Sequence, residues 1–181
     1  MIDDNSNLDI LIDIDDERWL EWYTPDQWHN LLHKIVQQVI DNCRIQPKVE
    51  VSILLTNNDE IHRLNLEYRG KNKPTNVLSF PNLSEDELRS LPKNPLYPIM
   101  LGDLALAFET LLEESTFEKK PFLDHFNHLI VHGMLHLLGH DHESDDDAEF
   151  MKEKEIMILS IKEYNNISNE IYTGTRSEER R

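Results

Sequence analysis

The chain has 181 residues and a single cysteine, Cys43, which excludes an intramolecular disulfide and a cysteine-rich zinc site, so a metal would depend on His, Asp or Glu. Its content of 39% apolar and 29% charged residues is typical of one globular domain. The net charge of −17 is uneven: residues 61–80 carry four basic side chains and one acidic, whereas residues 141–149 carry six acids and no base. The net charge therefore does not exclude a polyanionic partner.

The N-terminal sequence MIDDNSNLDI is acidic, whereas a secretory signal begins basic and then becomes apolar. No run of 18 apolar residues occurs, and such a run is needed for a membrane-spanning helix. We therefore expect a cytoplasmic protein without a membrane segment.

The first half of the chain alternates predicted strands with predicted helices. Thr24 as N-cap and Pro25 in the first turn predict the start of an amphipathic helix, and a second helix is expected to end at Gly70. The apolar face of the first helix contains Trp28, Leu31, Leu32, Ile35, Val36 and Val39. Short runs rich in branched apolar residues predict strands at residues 8–13, 49–56 and 75–81.

The second half is predominantly helical. Three prolines among many polar residues predict a surface loop with one helical turn at residues 82–98, and a fourth strand follows it. Further helices are predicted at residues 108–119, 121–139 and 144–164. We expect an α+β (α/β-like) fold: one compact domain over residues 1–165, with a small, roughly four-stranded mixed sheet covered by about five helices. Residues 166–181 are predicted to form a flexible tail.

The segment HGMLHLLGHDH, residues 132–142, combines helical spacing with several histidines. His132 and His136 lie one helical turn apart, so their imidazoles can bind one ion. A left-handed turn at Gly139 would bring His140 or His142 to the same point as a third ligand, and three protein ligands leave one position open on a catalytic zinc. The alternative is that these histidines are polar residues with ordinary hydrogen-bond partners.

Two further histidines, His125 and His128, lie on the same helical stripe nearer its start. They are expected to be exposed or to support the ligands rather than to bind metal. Asp141 is expected either to support a ligand in the same way or to stabilise the turn.

The spacing of these residues also matches the zinc peptidase signature H-E-x-x-H-x-x-G-x-x-H, except that Gly133 replaces the glutamate. That glutamate is the general base of peptide hydrolysis. Glu143 is the nearest substitute, but its position next to a predicted ligand does not ensure that it reaches a metal-bound water. The missing base weakens a peptidase interpretation and leaves the ligand set intact.

HGMLHLLGHDH resembles the H-G-x-L-H-L-x-G-x-D-H signature of the YbeY family of single-strand-specific endoribonucleases, which act in ribosomal RNA maturation. Residues 64–81, LNLEYRGKNKPTNVLSFP, and residues 101–103, LGD, resemble further segments of that family in the same order. The resemblance implies that His132, His136 and His142 bind Zn²⁺ and that Arg69 matches the family's functionally important arginine. His140 is a departure, because this position is often tyrosine in the family.

The basic segment around Arg69 has a physical reason to act with such a metal. Cleavage of a phosphodiester places extra negative charge on nonbridging oxygens, which a guanidinium can stabilise. Lys71 and Lys73 are predicted contacts to substrate phosphates. The alternative for Arg69 is a solvated cation at a helix end, and for the two lysines plain surface charge.

Three hypotheses follow. The first is a zinc-dependent endoribonuclease that cuts single-stranded RNA, with ribosomal RNA or the ribosome as partner. The second is a zinc peptidase. The third is a non-enzymatic, ribosome-associated protein whose structural zinc is closed by a fourth ligand such as His140.

Overall fold

The computed structural model describes residues 5–140 and 144–160 as four strands, six α-helices and one 3-10 helix. The strands are β1 (Leu8–Ile14), β2 (Val49–Thr56), β3 (Val77–Pro81) and β4 (Ile99–Ala107). The α-helices are α1 (Pro25–Asn42), α2 (Asn58–Arg69), α3 (Glu85–Arg89), α4 (Phe108–Phe117), α5 (Phe122–Leu137) and α6 (Asp145–Leu159). The predicted α+β class and the four-stranded mixed sheet are confirmed.

The strands form a single sheet in the order β1-β2-β4-β3. The first three pair in parallel, with Ile10 beside Val51 and Ile53 beside Leu104, whereas β3 pairs antiparallel to β4 with Leu78 beside Ala105. Parallel neighbours require crossover connections, and helices supply them here. The strand β3 is left as an edge of the sheet.

One face of the sheet carries the main core. Alternate residues of β2 are buried there, because successive side chains of a strand point to opposite faces. The predicted apolar face of α1 is buried in the same core, which also contains α5. Helix α5 packs against α1, α4, α6 and the strands β3 and β4, so it is the central helix of the molecule.

The other face is covered mainly by α2, through a small cluster of Ile61, Leu78, Ala105 and Ala107. This cluster covers the β3–β4 side of the sheet. A cavity of about 640 Å³ remains beside it, bordered by β1 and β2.

An aromatic cluster fills the core near the start of α5. The 3-10 helix Glu17–Glu21 inserts the fully buried Trp19 among Trp28, Phe108, Phe122 and Phe126. The indole of Trp19 donates to the Thr56 carbonyl at 2.8 Å, and that of Trp28 donates to the Trp19 carbonyl at 2.9 Å. Buried indole N–H groups need such acceptors, and both are satisfied.

The predicted helix boundaries are largely confirmed. Thr24 and Gln27 form a capping box at the start of α1, and Gly70 follows α2 with φ +68°. The last helix ends at Leu159, and the remainder of its predicted range lies outside the described residues, as does the predicted tail. No described helix is long and apolar enough to cross a membrane.

Candidate metal centre and cationic cleft

Helix α5 brings His132 and His136 together as the sequence predicts. Their Nε2 atoms lie 3.1 Å apart, and the ring centroids are separated by 4.6 Å. Two imidazole nitrogens that bind one zinc ion, each at about 2.1 Å, lie about 3.4 Å apart in tetrahedral geometry, which is close to the observed separation. The pair therefore fits two ligands of one metal ion.

Glu155 of α6 orients the first of these histidines. Its Oε1 accepts a hydrogen bond from His132 Nδ1, and its Oε2 accepts one from His128 Nε2 at 3.0 Å. Burial alone would raise the pKa of Glu155, but these hydrogen bonds outweigh it and lower the pKa to about 2. An ionised carboxylate on Nδ1 leaves Nε2 of His132 directed at the metal position, as in carboxylate–histidine–metal arrangements.

The other two histidines of the stripe have supporting contacts. His125 is buried, not exposed, and its Nε2 donates to Glu114 at 2.9 Å. His128 shares Glu155 with His132, so it supports a predicted ligand through a common carboxylate.

The predicted third ligand, His142, lies outside the described residues, as do Asp141 and Glu143. Gly139 has φ +88°, and the N–H of His140 donates to the Leu135 carbonyl at 2.9 Å, which confirms the predicted left-handed turn. Within residues 5–140 and 144–160 no three His, Cys, Asp or Glu side chains are grouped to hold a metal. His140 instead packs its ring beside Phe150, with centroids 5.7 Å apart.

The histidine pair opens into a cleft of about 720 Å³ that Arg69 and Lys71 also line. Arg69 is the last residue of α2, and the left-handed Gly70 turns the chain so that Lys71 follows beside it. No carboxylate in the described part of the chain forms an ion pair with Arg69 or Lys71. Two cations therefore face the same space as the two histidines.

Lys73 is not among the residues that line this cleft. Its carbonyl accepts a hydrogen bond from the Asn65 side chain at 2.8 Å, which fixes the loop after α2. Arg69 and Lys71 therefore line the same cleft as the two histidines, whereas Lys73 does not.

Gly133 points into the sheet, not into the cleft. A Cβ at this position would lie 2.9 Å from Leu104 Cδ2 and 3.3 Å from Ser79 Oγ. Ser79 also donates to the Gly133 carbonyl at 3.3 Å. The glycine that replaces the peptidase glutamate is therefore a close-packing residue between α5 and strands β3 and β4.

Asp103 of the LGD segment lies on the opposite face of the sheet from α5. Neighbouring side chains of a strand point to opposite faces, and the next residue, Leu104, packs against Gly133 of α5. Asp103 instead borders the cavity next to β1 and β2. Burial raises the pKa of its carboxyl. This aspartate is therefore not part of the histidine cleft.

The sequence reasoning did not identify Glu155. A signal was present, because Met151, Glu155 and Ile158 lie on one face of α6 and all three are buried. A carboxylate in an apolar helical stripe is seldom fully buried without a partner.

Together these features define an α+β protein with a histidine pair, suited to a metal ion, in a cleft that also presents cations. The chain belongs to the endoribonuclease YbeY family, whose model matches residues 13–163.

Relatives named "Endoribonuclease YbeY" support this assignment. The chain is 52% identical over 114 residues to one from Bradyrhizobium diazoefficiens, a match that covers 62% of this chain and 60% of that protein. It is 42% identical over 154 residues to one from Erythrobacter litoralis, covering 82% and 91%. A Thermotoga maritima protein known from a solution structure shares the fold, with a TM-score of 0.52, 24% identity and 93% of each chain covered.

Proposed function

We propose that this protein is a zinc-dependent endoribonuclease that cuts single-stranded RNA during the maturation and quality control of ribosomal RNA in the cytoplasm. The ribosome or its RNA is the expected partner. The relatives that carry the name "Endoribonuclease YbeY" support the reaction class.

One observation carries the proposal. The cleft brings His132 and His136 of α5 together with Arg69 and Lys71 at the end of α2, although 61 positions separate Lys71 from His132 in the sequence (132 − 71). Histidines that converge on one point suit a metal ion, and neighbouring unpaired cations suit a phosphate backbone. A phosphodiester satisfies both requirements.

Each group has a definite task in this proposal. A zinc ion held by His132, His136 and the predicted third ligand His142 would supply positive charge to a phosphate oxygen or activate the attacking hydroxyl. The guanidinium of Arg69 stabilises negative charge that develops on the nonbridging oxygens. Lys71 binds a neighbouring phosphate, and Glu155 keeps His132 oriented. Lys73 stays a predicted phosphate contact, outside the cleft.

The test is cleavage of a labelled single-stranded RNA by the wild type, Arg69→Ala and His136→Ala, with zinc content measured for each protein. We expect His136→Ala to lose both zinc and cleavage. Arg69→Ala should keep zinc and lose about 100-fold or more in kcat, the typical cost of removing a group that stabilises transition-state charge. Arg63→Ala is the matched control, because Arg63 lies on the same helix and is paired with Glu60 and Glu67.

Full cleavage by metal-free wild type, or by Arg69→Ala, would contradict the proposal. The product ends identify the nucleophile. A 2′,3′-cyclic phosphate with a 5′-hydroxyl indicates the adjacent ribose hydroxyl, whereas a 5′-phosphate with a 3′-hydroxyl indicates water.

The other two hypotheses gain no support from the described residues. Position 133, where the peptidase motif has its glutamate base, is glycine and carries no carboxylate. This position also packs against Leu104 and Ser79. Among the described residues His140 packs beside Phe150 and is not grouped with His132 and His136, so none of its contacts there favours it as the fourth ligand of a structural zinc site.

A further inference from the structure

A second cavity, of about 340 Å³, adjoins the histidine cleft. Both cavities are lined by Glu85, Leu88, Gly139 and His140, so the turn after α5 and helix α3 form their common wall. Lys154 of α6 lines the second cavity. The cleft therefore has a neighbouring recess on the side of α6.

Phe150 does not line this recess itself, but its exposed ring lies next to two residues that do, His140 and Lys154. Its side chain is 55% exposed, although α6 buries the adjacent Met151. Its ring lies 5.7 Å from that of His140 at an interplanar angle of 35°. Successive bases of a single strand stack on such exposed aromatic rings with little regard to sequence.

A cation accompanies this aromatic pair. Lys154 is one helical turn beyond Phe150, and its Nζ lies 5.8 Å from the centre of the Phe150 ring. No carboxylate among the described residues is within ion-pair distance of Lys154. Arg89, which lines the same recess, has Glu85 and Asp86 within 4 Å and contributes little net charge.

We propose that His140, Phe150 and Lys154 form a nucleotide subsite, in which a base of the RNA strand stacks on Phe150 and a flanking phosphate contacts Lys154. This proposal rests on the proposed function, because it assumes that the strand passes through the histidine cleft. The strand then contacts Arg69 and Lys71 in the histidine cleft and the subsite beside the adjoining recess. An unpaired base leaves its neighbours at a lower cost in free energy than a paired base, so the subsite favours single-stranded RNA.

The test uses Phe150→Ala, Phe150→Tyr and Lys154→Gln, with Ile156→Ala as matched control. Ile156 is an apolar residue of α6 with similar exposure, and its two-residue offset from Lys154 places it on the opposite side of the helix. We expect Phe150→Ala to raise the KM for a short single-stranded RNA about tenfold with kcat within about twofold, and Phe150→Tyr to retain the wild-type KM. Lys154→Gln should reduce the slope of log binding constant against log salt concentration by about 0.7.

A second measurement locates the base. Oligonucleotides with a single abasic site at successive positions are bound by wild type and by Phe150→Ala. At one position next to the cleavage site, base removal should weaken binding by the wild type about tenfold and leave binding by Phe150→Ala unchanged.

The outcomes distinguish the two proposals. If Phe150→Ala and Lys154→Gln bind RNA like Ile156→Ala while Arg69→Ala still loses cleavage, the subsite is wrong and the endoribonuclease proposal stands. If the zinc-loaded wild type neither binds nor cleaves single-stranded RNA, both proposals are wrong.

Discussion

At the scale of single residues, the hydrogen bond between His132 and Glu155 offers a test of the proposed metal site. Glu155→Gln keeps the size of the side chain and removes the negative charge that fixes the Nδ1–H tautomer of His132. We expect zinc affinity to fall about 10- to 100-fold, the usual cost of losing such a supporting carboxylate. A competition titration with a chromophoric chelator measures it.

Glu153→Gln is the matched control, because Glu153 lies on the same helix and is exposed. Zinc affinity for Glu155→Gln equal to that for Glu153→Gln would show that the carboxylate does not orient a ligand.

Gly133 offers a second residue-scale prediction. Gly133→Ala introduces a Cβ 2.9 Å from a methyl group of Leu104. Leu104 is fully buried, so moving its side chain away would cost free energy by disturbing the packing of the core. We expect the free energy of unfolding to fall by about 1 to 3 kcal/mol, measured by urea denaturation.

A double-mutant cycle with Leu104→Ala tests the cause. Leu104→Ala alone should cost about 2 to 5 kcal/mol, and the double variant should cost less than the sum, because the smaller side chain makes room for the new methyl group. Strictly additive costs would show that some other contact of Gly133 is responsible.

Residue-scale sequence reasoning predicted His132 and His136 because their spacing along a helix determines that they converge. Arg69 was predicted from its charge and from family resemblance, and α2 places it in the cleft. Glu155 was missed because only the packing of α6 against α5 brings it to His132. The spacing of Met151, Glu155 and Ile158 places Glu155 on one face of α6, but it does not indicate which residue of another helix that face contacts.

At the scale of secondary-structure elements, Asp16 ties together the starts of two helices. It is the N-cap of the 3-10 helix, forms an ion pair with Arg18 at 2.9 Å and accepts from the Asn57 side chain, which caps α2. The hydrogen bonds with Arg18 are the main reason that the pKa of Asp16 is held well below its ordinary value.

This shift predicts a pH-dependent stability. Because the folded state holds the pKa of Asp16 below its unfolded value, its charge stabilises the protein above about pH 4, and this contribution is lost as the pH falls toward the folded-state pKa. Asp16→Asn keeps the capping oxygen and removes only the negative charge. The free energy of unfolding should therefore be higher for the wild type than for the variant at pH 7, and this difference should shrink below pH 4. Urea denaturation at several pH values measures it.

The matched control is Asp15→Asn, at an exposed neighbouring position. A difference between the wild type and Asp16→Asn that stays constant from pH 7 to pH 3 would be inconsistent with a charge effect.

Element boundaries were predictable where local chemistry determines them. Thr24, Pro25, Gly70 and Gly139 begin or end helices through caps and left-handed turns that act within a few residues. The 3-10 helix Glu17–Glu21 was not predicted, because it is held by the burial of Trp19 among aromatic rings from distant parts of the chain. The strand order β1-β2-β4-β3 was likewise not predicted, because it depends on which strands pair by hydrogen bonds after the helices have packed on the sheet.

At the scale of the whole molecule, the net charge of −17 opposes a polyanion, and only a few cations in the two cavities favour it. With Arg69, Lys71 and Lys154 in the two cavities and Lys73 outside them, three or four phosphate contacts are expected. Each is worth about 0.7 in the slope for single strands, so log binding constant should fall against log salt concentration with a slope of about 2 to 3. Fluorescence anisotropy with a labelled oligonucleotide over a salt series measures this slope. A slope above about 4 would require cations besides these four.

The aromatic cluster determines which optical signals can follow these experiments. All three tryptophans, Trp19, Trp22 and Trp28, are buried in or beside it, around the first half of α5, whereas His132 and His136 lie in the second half. Their fluorescence emission therefore changes when the core unfolds, and it is expected to change little when zinc or RNA binds in the cleft. Denaturation can be followed without a label, while zinc and RNA titrations need a probe on the ligand.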